Sequence, residues 1–205
     1  MIAGLYAVTP ACPDTDSLVR SVTEAIQGGA KVVQYRSKSN DAALKTEQAG
    51  ALHAICRLHA VPLIVNDDLD LALEVGAEGA HIGQTDGSIM EARARLGKRM
   101  LGISCYNSLE RAIEAQALGA DYVAFGSFFT SDTKPDAVRA ERSLLQISKL
   151  SIKIPVVAIG GITQDNGLAL VEAGADALAV VTALFNAADI RTAARQISEL
   201  FSAKT

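Results

Sequence analysis

Leu118-Gly119-Ala120 closes a helical pattern and passes at once into the apolar run 121–126. The same passage recurs at Gln27-Gly28-Gly29-Ala30, Val75-Gly76-Ala77 and Ala173-Gly174-Ala175, leading into runs 31–37, 79–83 and 177–181. Glycine at that place relieves the left-handed backbone that stops a helix, so each unit reads helix, glycine cap, strand. Repetition of one supersecondary unit along a chain marks a repeat-built fold. Four more strand candidates, 2–9, 62–66, 100–104 and 155–159, lie between these copies, which makes eight short strands separated by helical stretches. Such alternation implies parallel pairing through right-handed crossovers. Eight units can close into a (β/α)8 TIM barrel, and 205 residues is at the small end of that class. A doubly wound open sheet, the competing architecture, expects a Gly-rich phosphate turn after strand one, where Thr9-Pro10-Ala11-Cys12-Pro13 stands instead. No linker, low-complexity tract or charge run divides the chain, so an α/β barrel of a single domain over 1–205 is expected.

Composition narrows the functional classes. With 49% hydrophobic and 20% charged residues, the chain can bury a sizeable core. Its net charge of −4 and its lack of aromatic-basic clusters argue against nucleic acid as a partner. Met1-Ile2-Ala3-Gly4-Leu5-Tyr6-Ala7-Val8 has neither a basic lead-in nor a long apolar core, and it reads as a first strand, not a signal peptide. No apolar run approaches the roughly 18 residues needed to span a membrane. No membrane partner and a cytoplasmic location are therefore expected. Cys12, Cys56 and Cys105 are too scattered for a disulfide framework or a zinc site and read as reduced thiols. His53 and His59, six apart in a helical pattern, share no face and make a poor metal pair.

In a barrel of this kind the chemistry sits where the strands end. Strand two carries Gln34, Arg36 and Lys38 at alternate positions, which in an extended strand share one face. An amide and two cations aimed at one space suit a polyanion; a solvated edge strand is the plainer reading. Asn66-Asp67-Asp68 follows strand three and His81-Ile82-Gly83-Gln84-Thr85-Asp86 follows strand four. Asp67 and Asp86 thus end neighbouring strands and could face one hard cation such as Mg2+, which is held by one or two carboxylates together with substrate phosphates. Each of these acids could instead cap a helix, and one of Asp67 and Asp68 is expected to do so. Ser104 ends strand five. Gly160-Gly161 and Val181-Thr182 fall in the loops after strands seven and eight, where many barrels bind a phosphate, and Ser131, Thr133 and Lys134 add hydroxyls and a cation nearby. The layout has two anion sites in one mouth, one suited to a metal-bound diphosphate and one to a single phosphate. It contains no Ser-His-Asp or Cys-His arrangement and no glycosidase carboxylate pair.

Taken in order, these motifs resemble the thiamine-phosphate synthase family over essentially the whole chain. Gln34-x-Arg36-x-Lys38, Asn66-Asp67, His81-x-Gly83-Gln84-x-Asp86, Ser131-Asp132-Thr133-Lys134 and Ile159-Gly160-Gly161-Ile162 match its elements. The resemblance implies small-molecule substrates: 4-amino-5-hydroxymethyl-2-methylpyrimidine diphosphate and a thiazole phosphate, joined to give thiamine phosphate and diphosphate. It implies that Arg36, Lys38 and Asn66 hold the diphosphate, that Asp67 and Asp86 bind magnesium, and that Gln34 contacts the pyrimidine side. Ser131, Thr133, Lys134, Gly161, Val181 and Thr182 would surround the thiazole phosphate. Arg36, Lys38 and Ser104 are the implied catalytic groups.

Three positions depart from the family pattern. Ser104 is followed by Cys105-Tyr106, where relatives commonly carry a histidine two residues after the serine; Ser131 replaces a threonine, and Thr182 replaces a serine. Two other readings compete. A thiazole tautomerase on the same barrel is expected to carry a histidine just after strand six, where Ser127 stands. A non-catalytic phosphate-ligand binder could lose an acid or cation without penalty, and none is lost. A homo-oligomer is compatible with either, since apolar residues on outer helices follow from packing and identify no interface.

Overall fold

In the computed structural model, which describes residues 2–130 and 138–202, eight parallel strands close on themselves in chain order. They are β1 (Gly4–Val8), β2 (Val32–Tyr35), β3 (Leu63–Asn66), β4 (Gly79–Ile82), β5 (Met100–Tyr106), β6 (Tyr122–Phe125), β7 (Val156–Ile159) and β8 (Ala177–Val180). Pairing of β8 with β1 through Gly4–Ala177 to Ala7–Val180 closes the barrel. Between the strands run α1 (Thr15–Gln27), α2 (Ala42–Leu58), α3 (Leu69–Glu74), α4 (Ile89–Leu96), α5 (Leu109–Ala117), α6 (Arg142–Ser151) and α7 (Leu168–Glu172). After β8 come the short α8 (Thr182–Phe185) and α9 (Ile190–Glu199). The barrel and all eight strands expected from the sequence are present.

Local signals explain the helix ends. Asp14, Asp41, Asp68, Ser108 and Asp189 each accept a backbone N–H three residues on, at 2.8–3.1 Å, which satisfies a donor that the first turn cannot. At the other end of α5, Gly119 takes φ +90°, and Ala120 N–H reaches back to the Ala115 carbonyl at 2.9 Å. That is the glycine-capped stop on which the repeat reading rested.

Alternate residues of each strand feed two cores. Leu5, Val33, Leu63, Val65, Ile82, Ile103, Val123 and Phe125 point outward to the helices, whereas Tyr6, Val8, Val32, Ile64, Tyr122, Ala124, Val157 and Ala179 fill the barrel interior. Both faces are covered, so the strands read as continuous apolar runs. Cys56 and Cys105 belong to the outer layer, where burial pushes both thiols up to about 12. Cys105 therefore faces away from the barrel mouth, and all three cysteines are free. Among the described residues, no helix is long and apolar enough to cross a membrane.

Two strand ends differ from expectation. β2 stops at Tyr35, because the Thr9 hydroxyl takes over the backbone of Arg36, accepting its N–H at 2.9 Å and donating to its carbonyl at 3.3 Å. Arg36 and Lys38 thus lie beyond the strand, and the single-faced row of 34, 36 and 38 reduces to Gln34. β5 runs on to Tyr106 through a register shift between Ser104 and Tyr106, with Tyr106 at φ +55°. The bulge at Cys105 keeps that thiol in the outer core and leaves Tyr106 partly exposed at the rim.

Candidate active site

The strand ends open onto a cavity of about 440 Å3. Gln34, Arg36, Asn66, Ser104, Gly161, Val181 and Thr182, seven of the residues singled out from the sequence, line it. Asn66 also lines a second cavity of about 430 Å3, which holds Asp67 and Asp86. Lys38 is exposed and lines neither of these cavities. Ser131, Thr133 and Lys134 lie outside the described residues.

The three acids after β3 and β4 divide their roles. Asp68 is the cap: it accepts from Leu71 N–H at 3.0 Å and pairs with Lys45 at 3.0 Å. Its neighbour Asp67 is turned the other way by a left-handed backbone, φ +62°, fixed by its N–H donating to the His81 carbonyl at 2.8 Å. That conformation costs a non-glycine residue on the order of 1 kcal/mol and recurs at functional sites. Asp86 does not cap α4; its carboxylate accepts from the N–H of Gly83 at 2.7 Å and from the Thr85 hydroxyl at 3.3 Å. A Cβ on Gly83 would lie 2.9 Å from that carboxylate, so glycine is what lets the loop fold around it.

Asp67 and Asp86 come together. Partial burial, followed by hydrogen bonding to and repulsion from Asp86, pushes the Asp67 carboxyl up to about 6, with Asn66 and Arg36 pulling the other way. Two carboxylates held this close favour a positive guest. Among the described residues no group of three or more His, Cys, Asp or Glu could hold a metal. A pair of oxygen donors with room for water and phosphate fits a hard divalent cation.

On the opposite side of the mouth, Gly160 and Gly161 follow β7 with φ +105° and +62°. A Cβ at Gly161 would sit 2.3 Å from the Thr130 carbonyl oxygen, so no larger residue fits the turn. Asn66 and this turn thus bracket one cavity.

The cavity floor holds residues that sequence reasoning did not single out as functional. Gln34 Nε2 donates to the Tyr6 hydroxyl at 2.9 Å, and Tyr6 meets the Tyr122 hydroxyl at 2.7 Å. Tyr122 meets His81 Nδ1 at 3.1 Å, and His81 Nε2 meets Ser104 Oγ at 2.8 Å. Burial holds the His81 imidazole down to about 4, hence neutral, and holds both phenols above their usual range. His81 and Tyr122 occupy β4 and β6, each in register with Gly102 on β5, and their rings stack across it at 5.5 Å. The missing side chain at 102 is the space in which they meet. The available signal was a polar-tipped aromatic at an inward position of β1 and of β6.

A closed parallel barrel with carboxylates, a guanidinium and a glycine turn around one mouth defines a small-molecule enzyme of the (β/α)8 class. A family model described as thiamine monophosphate synthase matches residues 5–184. The chain is 56% identical to the thiamine-phosphate synthase of Nitrosospira multiformis, an alignment covering 98% of this chain and 86% of that protein. It is 54% identical to the thiamine-phosphate synthase of Thiobacillus denitrificans over 98% and 96% of the two chains. The solved thiamine phosphate pyrophosphorylase of Pyrococcus furiosus superposes with a TM-score of 0.89 at 35% identity, covering 98% and 96%. The chain belongs to the thiamine monophosphate synthase family.

Proposed function

We propose that this chain condenses 4-amino-5-hydroxymethyl-2-methylpyrimidine diphosphate with a thiazole phosphate to form thiamine phosphate and diphosphate, as a magnesium-dependent cytoplasmic transferase. The observation that supports this reading is that the cavity at the strand ends, lined by Arg36 and by the glycine turn, adjoins through Asn66 a second cavity lined by two carboxylates. Asp67 and Asp86 line the second, and Gly161, Val181 and Thr182 line the first. Mg2+ held by Asp67 and Asp86 would supply countercharge to the departing diphosphate.

Arg36, whose charge is felt at Asp67, would add a cation at the same edge to receive the leaving group. As the C–O bond of the pyrimidine methylene breaks, the electron-rich aminopyrimidine ring carries the positive charge, and the thiazole nitrogen attacks that carbon. No enzyme nucleophile is required. Holding the two substrates at one cavity supplies much of the remaining acceleration. Lys38, Ser131, Thr133 and Lys134 enter this proposal as diphosphate and phosphate contacts through the family resemblance. Ser127, where a tautomerase would need its histidine, donates its hydroxyl to the Phe129 carbonyl at 2.7 Å and is committed to the backbone.

The test is product formation from the two substrates with and without magnesium: magnesium-dependent thiamine phosphate is expected, and a folded sample inactive under both conditions would remove the synthase reading. The glycine turn gives a second check. Gly161→Ala should raise the KM for the thiazole phosphate by roughly tenfold or more while leaving that for the pyrimidine diphosphate within about twofold. Equal effects on both would show that the turn does not serve the phosphate.

A further inference from the structure

The Gln34 amide sets the direction in which the polar groups across the barrel floor donate. An amide nitrogen donates and does not accept, so Gln34 Nε2 gives a hydrogen to the Tyr6 oxygen. Tyr6 is 1% exposed, and its own hydrogen goes to Tyr122, the other partner of that hydroxyl among the described residues. Having accepted from Tyr6, the fully buried Tyr122 hydroxyl turns its hydrogen to His81 Nδ1 at 3.1 Å. An imidazole that accepts at Nδ1 carries its proton at Nε2 and donates it to Ser104 Oγ at 2.8 Å. The Ser104 hydrogen then has no place within the row. Ser104 lines the cavity, and its carbonyl is pinned by Arg111 Nε at 2.8 Å, so the hydroxyl hydrogen is left for whatever occupies that space.

We propose that Tyr6, Tyr122 and His81, anchored by Gln34, are positioning residues that hold the Ser104 hydroxyl as a hydrogen-bond donor toward a lone pair of the bound substrate. The identity of that substrate rests on the synthase reading; the direction of the row does not. All five members lie along strands of one closed sheet, so the donor is preorganised before substrate enters. Reversal would require the Gln34 amide to present its oxygen to Tyr6, which would move the histidine proton to Nδ1 and make Ser104 an acceptor from the solvent side.

Nitrogen NMR on histidine-labelled free protein reads the direction without any ligand. The chain has three histidines, so His53→Gln and His59→Gln variants identify the His81 signals. The expected result is an Nε2–H tautomer in the wild type, shifting toward a mixture in Tyr122→Phe. In kinetics, Tyr122→Phe should lower kcat by about tenfold with both KM values within about twofold, and adding Ser104→Ala to it should cost no more than about twofold further. Tyr6→Phe should weaken kcat in the same sense. A wild-type His81 protonated at Nδ1 overturns the proposal even in a fully active enzyme, and so does an unaltered kcat in Tyr122→Phe. An Nε2–H tautomer in a protein that makes no thiamine phosphate supports the direction of the row while removing the synthase reading.

Discussion

Asp67→Asn is expected to lower turnover at limiting magnesium by roughly a hundredfold or more, and at the same time to make the magnesium-free protein more stable. The two effects share one cause. Asp67 sits beside Asp86, and its carboxyl is pushed from 3.8 up to about 6. An acid whose folded value lies above its unfolded value binds its proton more tightly in the folded state. Its ionisation penalty is thus absent below about pH 3.8 and fully present above about pH 6. The carboxyl is partly open to solvent, which trims that penalty to about 1 kcal/mol, or about 2–4 °C in Tm for a domain of this size. Asparagine is the informative replacement because it keeps the shape and tolerates φ +62°, where alanine would add backbone strain.

Thermal unfolding in a chelator therefore separates the variant from the wild type at pH 7.5 but not near pH 4. Saturating magnesium should raise the wild-type Tm more than that of the variant, since only the wild type keeps both carboxylates. An Asp67→Asn protein with the wild-type magnesium response and no gain in Tm would take the metal away from this pair.

The barrel was legible because each strand is announced locally. Leu118-Gly119-Ala120 needs no distant partner to stop α5 and start β6. The acids after β3 were legible as a pair of alternatives, one of them a cap, and only the fold shows that Asp68 caps α3 while the left-handed backbone turns Asp67 away. Arg36 and Lys38 show the opposite case. Their alternation looks like strand, yet the hydroxyl of Thr9, 27 residues earlier, takes the backbone bonds that would have continued it. Asp86 was read as a cap or a ligand from its distance to α4, whereas its carboxylate turns back to Gly83. The floor network was the least visible part. Tyr6 and Tyr122 are 116 residues apart, and their hydroxyls meet only because the closed barrel brings β1 and β6 together across its interior. Periodicity shows that each faces inward but not what it finds there.

Gly102→Ala is expected to be strongly destabilising. A Cβ at Gly102 would lie 2.0 Å from Tyr122 Cζ, 2.3 Å from its hydroxyl oxygen and 2.5 Å from His81 Nδ1. None of these atoms is the loose end of a flexible side chain. Tyr122 is stacked on His81 at 5.5 Å and bounded on its other side by Tyr6 at 6.0 Å, and all three rings are buried. Overpacking of about 1–3 kcal/mol adds to the loss of the His81–Tyr122 and Tyr6–Tyr122 bonds at about 1 kcal/mol each, giving about 3–5 kcal/mol. That is a large part of the stability of an ordinary domain, and a Tm drop of about 10 °C or more is expected. Adding Tyr122→Leu to Gly102→Ala frees the space and should recover the overpacking share of the lost Tm, about 1–3 kcal/mol, yet turnover should stay low because the row to Ser104 remains cut. Recovery of both would mean that the floor acts through packing alone, and a Gly102→Ala protein with wild-type Tm would mean that the rings can part. The absence of one methyl group on β5 is thus the condition under which two aromatic rings from the strands on either side of it can reach each other and, through His81, the serine at the cavity wall.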